Sequence, residues 1–162
     1  SALEVVLLGR HPHHDRWSFD DDDDRRIAHD ALAAVDAATL AARDVTTLSG
    51  GERQRAALAA LLAQCAPLML LDEPTAPLDL KHQIGMLEHL RGLVRSGRHA
   101  AVIALHDLNL AARFASHALV LGGSNAFGGR VDEVMTESAL SAAFEHPLRR
   151  LRVGERWLYV VE

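Results

Sequence analysis

The sequence is poor in aromatic residues and in cysteine. Phe, Trp and Tyr make up 4% of 162 residues, so any core must be built mainly from Leu, Val, Ile and Ala. The single cysteine, Cys65, excludes an internal disulfide framework and a cysteine-based zinc site, and we expect it to be a small buried side chain. No apolar run approaches the roughly 20 residues that a membrane-spanning helix needs.

Positive charge is also scarce. The chain has 17 basic and 22 acidic residues, a formal charge of −5, which argues against a protein that binds nucleic acid through an overall basic field. We therefore predict no nucleic-acid partner. The hydrophobic content of 49% excludes a disordered chain, and the length suits one domain.

The apolar pattern predicts an α/β fold with a parallel-sheet core. Residues 3–8 suit a strand or a helix equally well, and the acidic run 20–24, after Ser18 and Phe19, is typical of a helix start. A long helix is expected over 53–64, followed by buried strands at 68–71 and 100–105 and a third strand at 118–121. Helices are expected between these strands at about 84–97 and 107–115. A short helix over 137–144 and a terminal hairpin, turning at Gly154-Glu155, complete the expected elements.

Three groups of residues suggest chemistry. Asp72 and Glu73 end the first predicted strand, where one carboxylate can hold Mg²⁺ and the other can orient an attacking water. Ser49, Gly50, Gly51 and Glu52 begin a helix, so they form either a simple serine-capped turn or an approach for phosphate to free backbone N–H groups. His106 follows the second strand, as a capping residue or as a third group at the same sheet edge.

In this order the segments resemble the motifs of ABC-type ATPases. Residues 48–52 resemble the signature motif, 68–73 the Walker B strand, 76–79 the D-loop, and His106 the switch histidine. The resemblance implies a partial P-loop NTPase domain. Residues 1–64 would form the helical subdomain, 65–122 the core, and 123–162 a C-terminal segment.

The resemblance also implies a role for each residue in binding and hydrolysing ATP. Asp72 would coordinate Mg²⁺, Glu73 would polarise the water, and His106 would contact the γ-phosphate. Residues 49–52 would hold the nucleotide bound to a second copy of the subunit, and Asp79 would organise that dimer interface. The other expected partner is a membrane permease, which places the protein at the cytoplasmic face of the inner membrane.

Residues 5–13, 106–113 and 132–136 are similar to the importer ATPases for iron–siderophore, haem and cobalamin. A competing interpretation makes His11, His13, His14 and Asp15 a metal site, whereas a surface loop near the permease is the simpler interpretation.

The P-loop and the Q-loop of the family are not found. The only lysine, Lys81, lacks the P-loop context, and the first glutamine is Gln54. We therefore expect the chain to be the carboxyl-terminal part of a larger subunit and to be inactive by itself. Two alternatives are a non-transport ABC ATPase of the DNA-repair type and a catalytically silent interaction fragment.

Overall fold

The computed structural model describes residues 1–13, 21–76, 78–123 and 125–162. The helices are α1 (Ala2–Leu8), α2 (Asp22–Ala34), α3 (Gly50–Ala63), α4 (Leu80–Arg95), α5 (Leu108–Phe114), α6 (Val131–Val134) and α7 (Glu137–Ala143). The strands are β1 (Leu68–Asp72), β2 (Ala100–Ala104), β3 (His117–Gly122), β4 (Asn125–Arg130), β5 (Leu148–Val153) and β6 (Arg156–Val161). The chain divides into two units, Ser1–Ala104 and Leu105–Glu162.

Helix α1 resolves the ambiguity over residues 3–8. Ser1 and Glu4 form a reciprocal capping box that starts a helix instead of a strand. Just after α1, a Cβ added at Gly9 would lie 2.1 Å from the carbonyl oxygen of Ala60 on α3. Only glycine therefore allows this close packing of the chain against α3.

A buried ion pair joins the end of α1 to α2 and α3. Nε of Arg10 donates to Oδ1 of Asp24 at 2.8 Å, and its Nη1 donates to the carbonyl oxygen of Ala63 at 2.7 Å. Both charged residues are buried, at 8% and 3% exposure. Helix α2 begins after Asp21, whose side chain caps Asp24 N–H. The predicted acidic start is thus confirmed from Asp21 onward, while Ser18, Phe19 and Asp20 lie outside the described residues.

Strands β1 and β2 pair in parallel, with Asp72 opposite Ala104 at their carboxyl ends. The strands were predicted to be buried, and this is wrong for one face of the sheet. Met69 and Leu71 are buried, whereas Leu68, Leu70 and Val102 are 52%, 66% and 61% exposed. Side chains alternate between the faces of a strand, and no described element of the first unit covers the second face.

The second unit holds the third predicted strand in an unexpected pairing. Strand β3 is antiparallel to β4, a strand that the sequence did not predict, so β3 does not extend the parallel pair. A Cβ at Gly122 would lie 2.5 Å from the backbone of Ala143 in α7, so glycine lets this strand end approach the helix. The core of the unit is aliphatic with one aromatic ring, and its members are Val120, Met135, Leu140, Leu148 and Tyr159.

The terminal hairpin is confirmed. Strands β5 and β6 are antiparallel and flank Gly154-Glu155, with Gly154 at a φ of +62°. The hydroxyl of Tyr159 donates to the carbonyl oxygen of Met135 at 2.6 Å. This bond ties the hairpin to the core of the second unit.

The prediction that Cys65 is buried is wrong. The residue is exposed instead of buried, because it lies just past the end of α3 with a φ of +51°. Among the described residues, no helix is both long and apolar enough to cross a bilayer.

Candidate functional site

The signature segment is a capped helix start. Ser49 Oγ accepts the Glu52 N–H at 3.3 Å, and Glu52 Oε2 accepts the Ser49 N–H at 2.8 Å. The other oxygen of Glu52 accepts from Arg43 at 2.8 Å. The N–H groups of Gly50 and Gly51 lie in the first turn, where no carbonyl of the helix can accept them. The geometry therefore leaves two adjacent donors and the positive end of the helix dipole for an anion.

Gly50 has no structural reason within the described chain to be glycine. A Cβ added there would meet nothing within 4 Å, and its φ is not in the left-handed region. The space beside Gly50 is therefore open among the described residues. The fold of the described residues does not require a glycine at position 50, whereas close approach of a ligand or partner would.

The capping box perturbs the ionisation of Glu52. The N–H of Ser49 and then its side chain hold the pKa of Glu52 below the ordinary value of 4.5, with a smaller contribution from Arg43. Because this pKa is lowered in the folded state, its contribution to stability is complete above pH 4.5 and is lost as the pH falls through the folded pKa.

We therefore expect Glu52→Gln to be less stable than the parent chain near neutral pH, with a difference that shrinks as the medium becomes acidic. Glutamine keeps the geometry of a capping box, so the substitution isolates the charge. Urea unfolding of both chains between about pH 7 and pH 3 measures this, with Glu155→Gln in the exposed hairpin turn as the control. A constant difference across that range would contradict the assignment.

Asp72 and Glu73 emerge at the carboxyl end of β1, as the sequence predicted, and both are exposed. The N–H of Glu73 donates to the carbonyl oxygen of Ala104 at 3.2 Å, which continues the pairing with β2 past Asp72. Glu73 has a φ of +43°, a backbone conformation that residues other than glycine rarely adopt. Three other described residues that are not glycine share this conformation, so the value alone does not mark residue 73 as functional.

Two glutamines for which the sequence motifs gave no structural role hold the segment after Glu73. Gln54 on α3 donates to the carbonyl oxygen of Pro74 at 3.3 Å. Gln83 on α4 donates to the carbonyl oxygens of Thr75 and Leu78, both at 3.0 Å. The segment therefore depends on the signature helix and on α4. Bonds from side chains to backbone carbonyls 5 to 20 residues away leave no recognisable sequence motif.

Asp79 caps α4. Its Oδ1 accepts the backbone N–H of His82 at 3.0 Å and lies 2.7 Å from Nδ1 of the same residue. The backbone N–H of His82 holds the pKa of Asp79 below its ordinary value, followed by the His82 side chain, with a smaller contribution from Arg55. The carboxylate is thus ionised and oriented at neutral pH.

His106 is exposed and belongs to the second unit, whereas the other predicted site residues belong to the first. Asp107 caps α5 by accepting the N–H groups of Asn109 and Leu110 at 2.7 and 3.0 Å. The Asn109 amide exchanges two hydrogen bonds with the backbone of Tyr159, at 2.8 and 3.2 Å. The segment after His106 is therefore fixed to the terminal hairpin. A joint site of His106 with Asp72 and Glu73 stays a prediction.

The donor set at the end of β1 suits Mg²⁺, whereas the histidine alternative lies partly outside the described residues. Mg²⁺ is commonly bound by one or two carboxylates together with substrate phosphates and waters, so a single exposed Asp72 is compatible with it. No group of three metal-ligating side chains occurs among the described residues. His13 lies 2.6 Å from the carbonyl oxygen of Gln64, while His14 and Asp15 are outside the described part of the chain.

Comparison with known proteins identifies the class. The family model for ABC transporters matches residues 3–76. A dimeric ATP-binding cassette in a post-hydrolysis state, bound to ADP and Pi, is 31% identical, with a TM-score of 0.65 over 74% of this chain and 51% of that one. The chain belongs to the ABC transporter ATPases.

Two similar curated proteins are import ATP-binding proteins. A cobalamin import ATP-binding protein of Halobacterium salinarum is 48% identical over 95% of this chain, which spans 38% of that relative. A hemin import ATP-binding protein of Streptomyces coelicolor is 46% identical over 90% of this chain, which spans 51% of it. An ABC transporter of the metal-chelate type, solved in an inward-facing conformation, is 32% identical with a TM-score of 0.88, over all of this chain and 66% of that one. The chain thus spans 38% and 51% of the lengths of the two curated relatives.

Proposed function

We propose that this chain is part of the ATP-hydrolysing subunit that powers import of an iron chelate, haem or cobalamin through an ABC-type permease. Its similarity to import proteins favours this function over a DNA-repair ATPase. The observation that carries the nucleotide role is the open start of α3, where Gly50 and Gly51 offer N–H groups to an anion and Gly50 serves no need of the fold.

Each site residue has a role in this proposal. Asp72 holds Mg²⁺, which neutralises phosphate charge when bound. Glu73 orients the attacking water, and His106 contacts the γ-phosphate. Residues 49–52 bind the nucleotide of a second copy of the subunit, and Asp79 lies at the interface between the copies. The subunit works at the cytoplasmic face of the inner membrane.

The test of this function is Gly51→Asp in the whole ATPase subunit, in a Glu73→Gln background that prevents hydrolysis. A carboxylate at the second residue of α3 would stand against the γ-phosphate, and like charges in a desolvated gap repel strongly. We expect ATP-dependent dimerisation, followed by light scattering, to be lost. ATP affinity of the monomer should change little, since its own nucleotide lies elsewhere.

The matched control is Gly92→Asp, which makes the same change at an exposed helical glycine with open space around it. It should dimerise as the parent does. Undiminished dimerisation of Gly51→Asp, or an equal loss of monomer affinity, would show that the signature residues do not act across a shared site.

We further propose that residues 1–162 alone have no ATPase activity, because the only lysine, Lys81, lies in the first turn of α4 beside Asp36 and is not in a phosphate-binding loop. In a phosphate-release assay, the purified chain should release phosphate from ATP no faster than buffer alone does. Turnover that Glu73→Gln abolishes would contradict this.

A further inference from the structure

Asp79 and four other charged or titratable side chains, from three parts of the first unit, lie close together. They form what we call the Asp79 cluster, and its members are Asp36, Arg55, Asp79, Lys81 and His82. All except Asp79 line a cavity of about 110 Å³. None of the sequence motifs includes Asp36, Arg55 or His82.

His82 lies between the two carboxylates of the cluster. Its Nδ1 is 2.7 Å from Oδ1 of Asp79, and its Nε2 is 3.8 Å from Oδ2 of Asp36. The side chain is only 19% exposed, so the ring has little freedom to turn away. Because an ionised carboxylate only accepts hydrogen bonds, Nδ1 must carry a hydrogen and donate a hydrogen bond to Oδ1 of Asp79.

Both hydrogen bonds to Asp79 end on the same oxygen. Oδ1 accepts the N–H and the Nδ1–H of His82, which fixes the plane of the carboxylate. The side chain of Asp79 is nevertheless 67% exposed. The carboxylate of Asp79 is thus fixed at Oδ1 by His82, while the rest of the group is accessible to a surface that approaches the protein.

The cluster also reaches the signature helix. Lys81 Nζ is 3.0 Å from Asp36 Oδ2, and Arg55 on α3 favours the ionised forms of both Asp36 and Asp79 by its charge. Nε of Arg55 is buried and has no hydrogen-bond partner among the described residues. The Lys81–Asp36 pair is largely exposed, and pairs of this kind contribute little. His82 is therefore the member best placed to determine how Asp79 points.

We propose that His82 is a positioning residue, which aims the Asp79 carboxylate at the second copy of the subunit by donating its Nδ1–H to Oδ1. The proposal rests on the interface role of Asp79 given above. His82 itself touches neither nucleotide nor metal in this scheme. Its removal should weaken the closed dimer and leave ATP binding by the monomer intact.

The experiment uses the whole ATPase subunit in the Glu73→Gln background, with ATP-dependent dimerisation and monomer ATP affinity as readouts. His82→Ala should raise the dimer dissociation constant about tenfold, the usual scale for losing a hydrogen bond to a charged group. His82→Asn places an amide donor near the position of Nδ1, and it should restore the constant to within about twofold of the parent. His89→Ala is the matched control, since His89 is a half-buried histidine on the same helix, remote from Asp79.

A double-mutant cycle separates positioning from general stabilisation. If His82 acts through Asp79, Asp79→Ala combined with His82→Ala should dimerise no worse than Asp79→Ala alone. Additive losses, or failure of His82→Asn to rescue, would overturn the proposal. A defect in Asp79→Ala without one in His82→Ala would overturn it while leaving the proposed function intact. If Asp79→Ala dimerises normally, the interface role of Asp79 falls, and the role of His82 with it.

Discussion

Replacing Glu73 by Gln in the whole ATPase subunit should slow ATP turnover by about 10²- to 10⁴-fold, the range for losing a group that accepts or directs a proton. Glutamine has nearly the shape of glutamate, so the backbone at residue 73 should be unaffected. It cannot, however, orient a water as a charged acceptor does. ATP should still bind, and a closed, ATP-loaded dimer should accumulate.

Single-turnover hydrolysis and equilibrium ATP binding, measured on the same preparations, test this expectation. Glu133→Gln, an exposed acidic residue of α6, is the matched control and should hydrolyse ATP normally. Loss of nucleotide binding in Glu73→Gln would show that Glu73 supports the fold of the site instead of its chemistry.

Arg10→Ala should destabilise the chain by about 3–5 kcal/mol, because it breaks the buried ion pair between Arg10 and Asp24. It also removes the donor to the carbonyl oxygen of Ala63. The midpoint of urea unfolding should therefore fall sharply. Arg26→Ala is the control: Arg26 is 63% exposed and pairs with Asp23 and Asp30 at the surface, so we expect a change of about 0.5 kcal/mol or less.

A second variant tests the electrostatic explanation. Arg10→Met combined with Asp24→Leu replaces the buried pair by apolar side chains, and it should be more stable than Arg10→Ala alone. If Arg10→Ala unfolds at the same urea concentration as the parent chain, the buried pair does not hold α1, α2 and α3 together.

The starts of α3 and α5 lie close to the predicted positions because they depend on local chemistry, whereas α4 begins at Leu80, before the predicted start near residue 84. Ser49 and Asp107 each cap a helix that begins at the following residue. The turn at Gly154 is local in the same way. The location of Asp72 and Glu73 at a strand end was also confirmed, since an apolar run followed by charge marks where a strand leaves the core.

Features that depend on distant neighbours were not predictable. Leu70 is exposed because burial of an apolar strand requires a covering surface, about which the run itself carries no information. Strand β4 was missed because Gly128 and Gly129 lower strand propensity, yet a Cβ at Gly129 would lie 2.9 Å from Val134. His82 drew no attention because Asp36, the second carboxylate beside its ring, is 46 residues away in the sequence and is brought to it only by folding.

At Glu73, the left-handed backbone conformation lowers the stability of the protein, while the side chain is the one proposed to act in hydrolysis. Glycine adopts a φ of +43° without strain, whereas a residue with a side chain costs on the order of 1 kcal/mol or more there. Glu73→Gly would then give a more robust protein without the proposed carboxylate. Selection for heat resistance alone would favour losing this side chain, so engineering of a thermostable form has to hold residue 73 fixed.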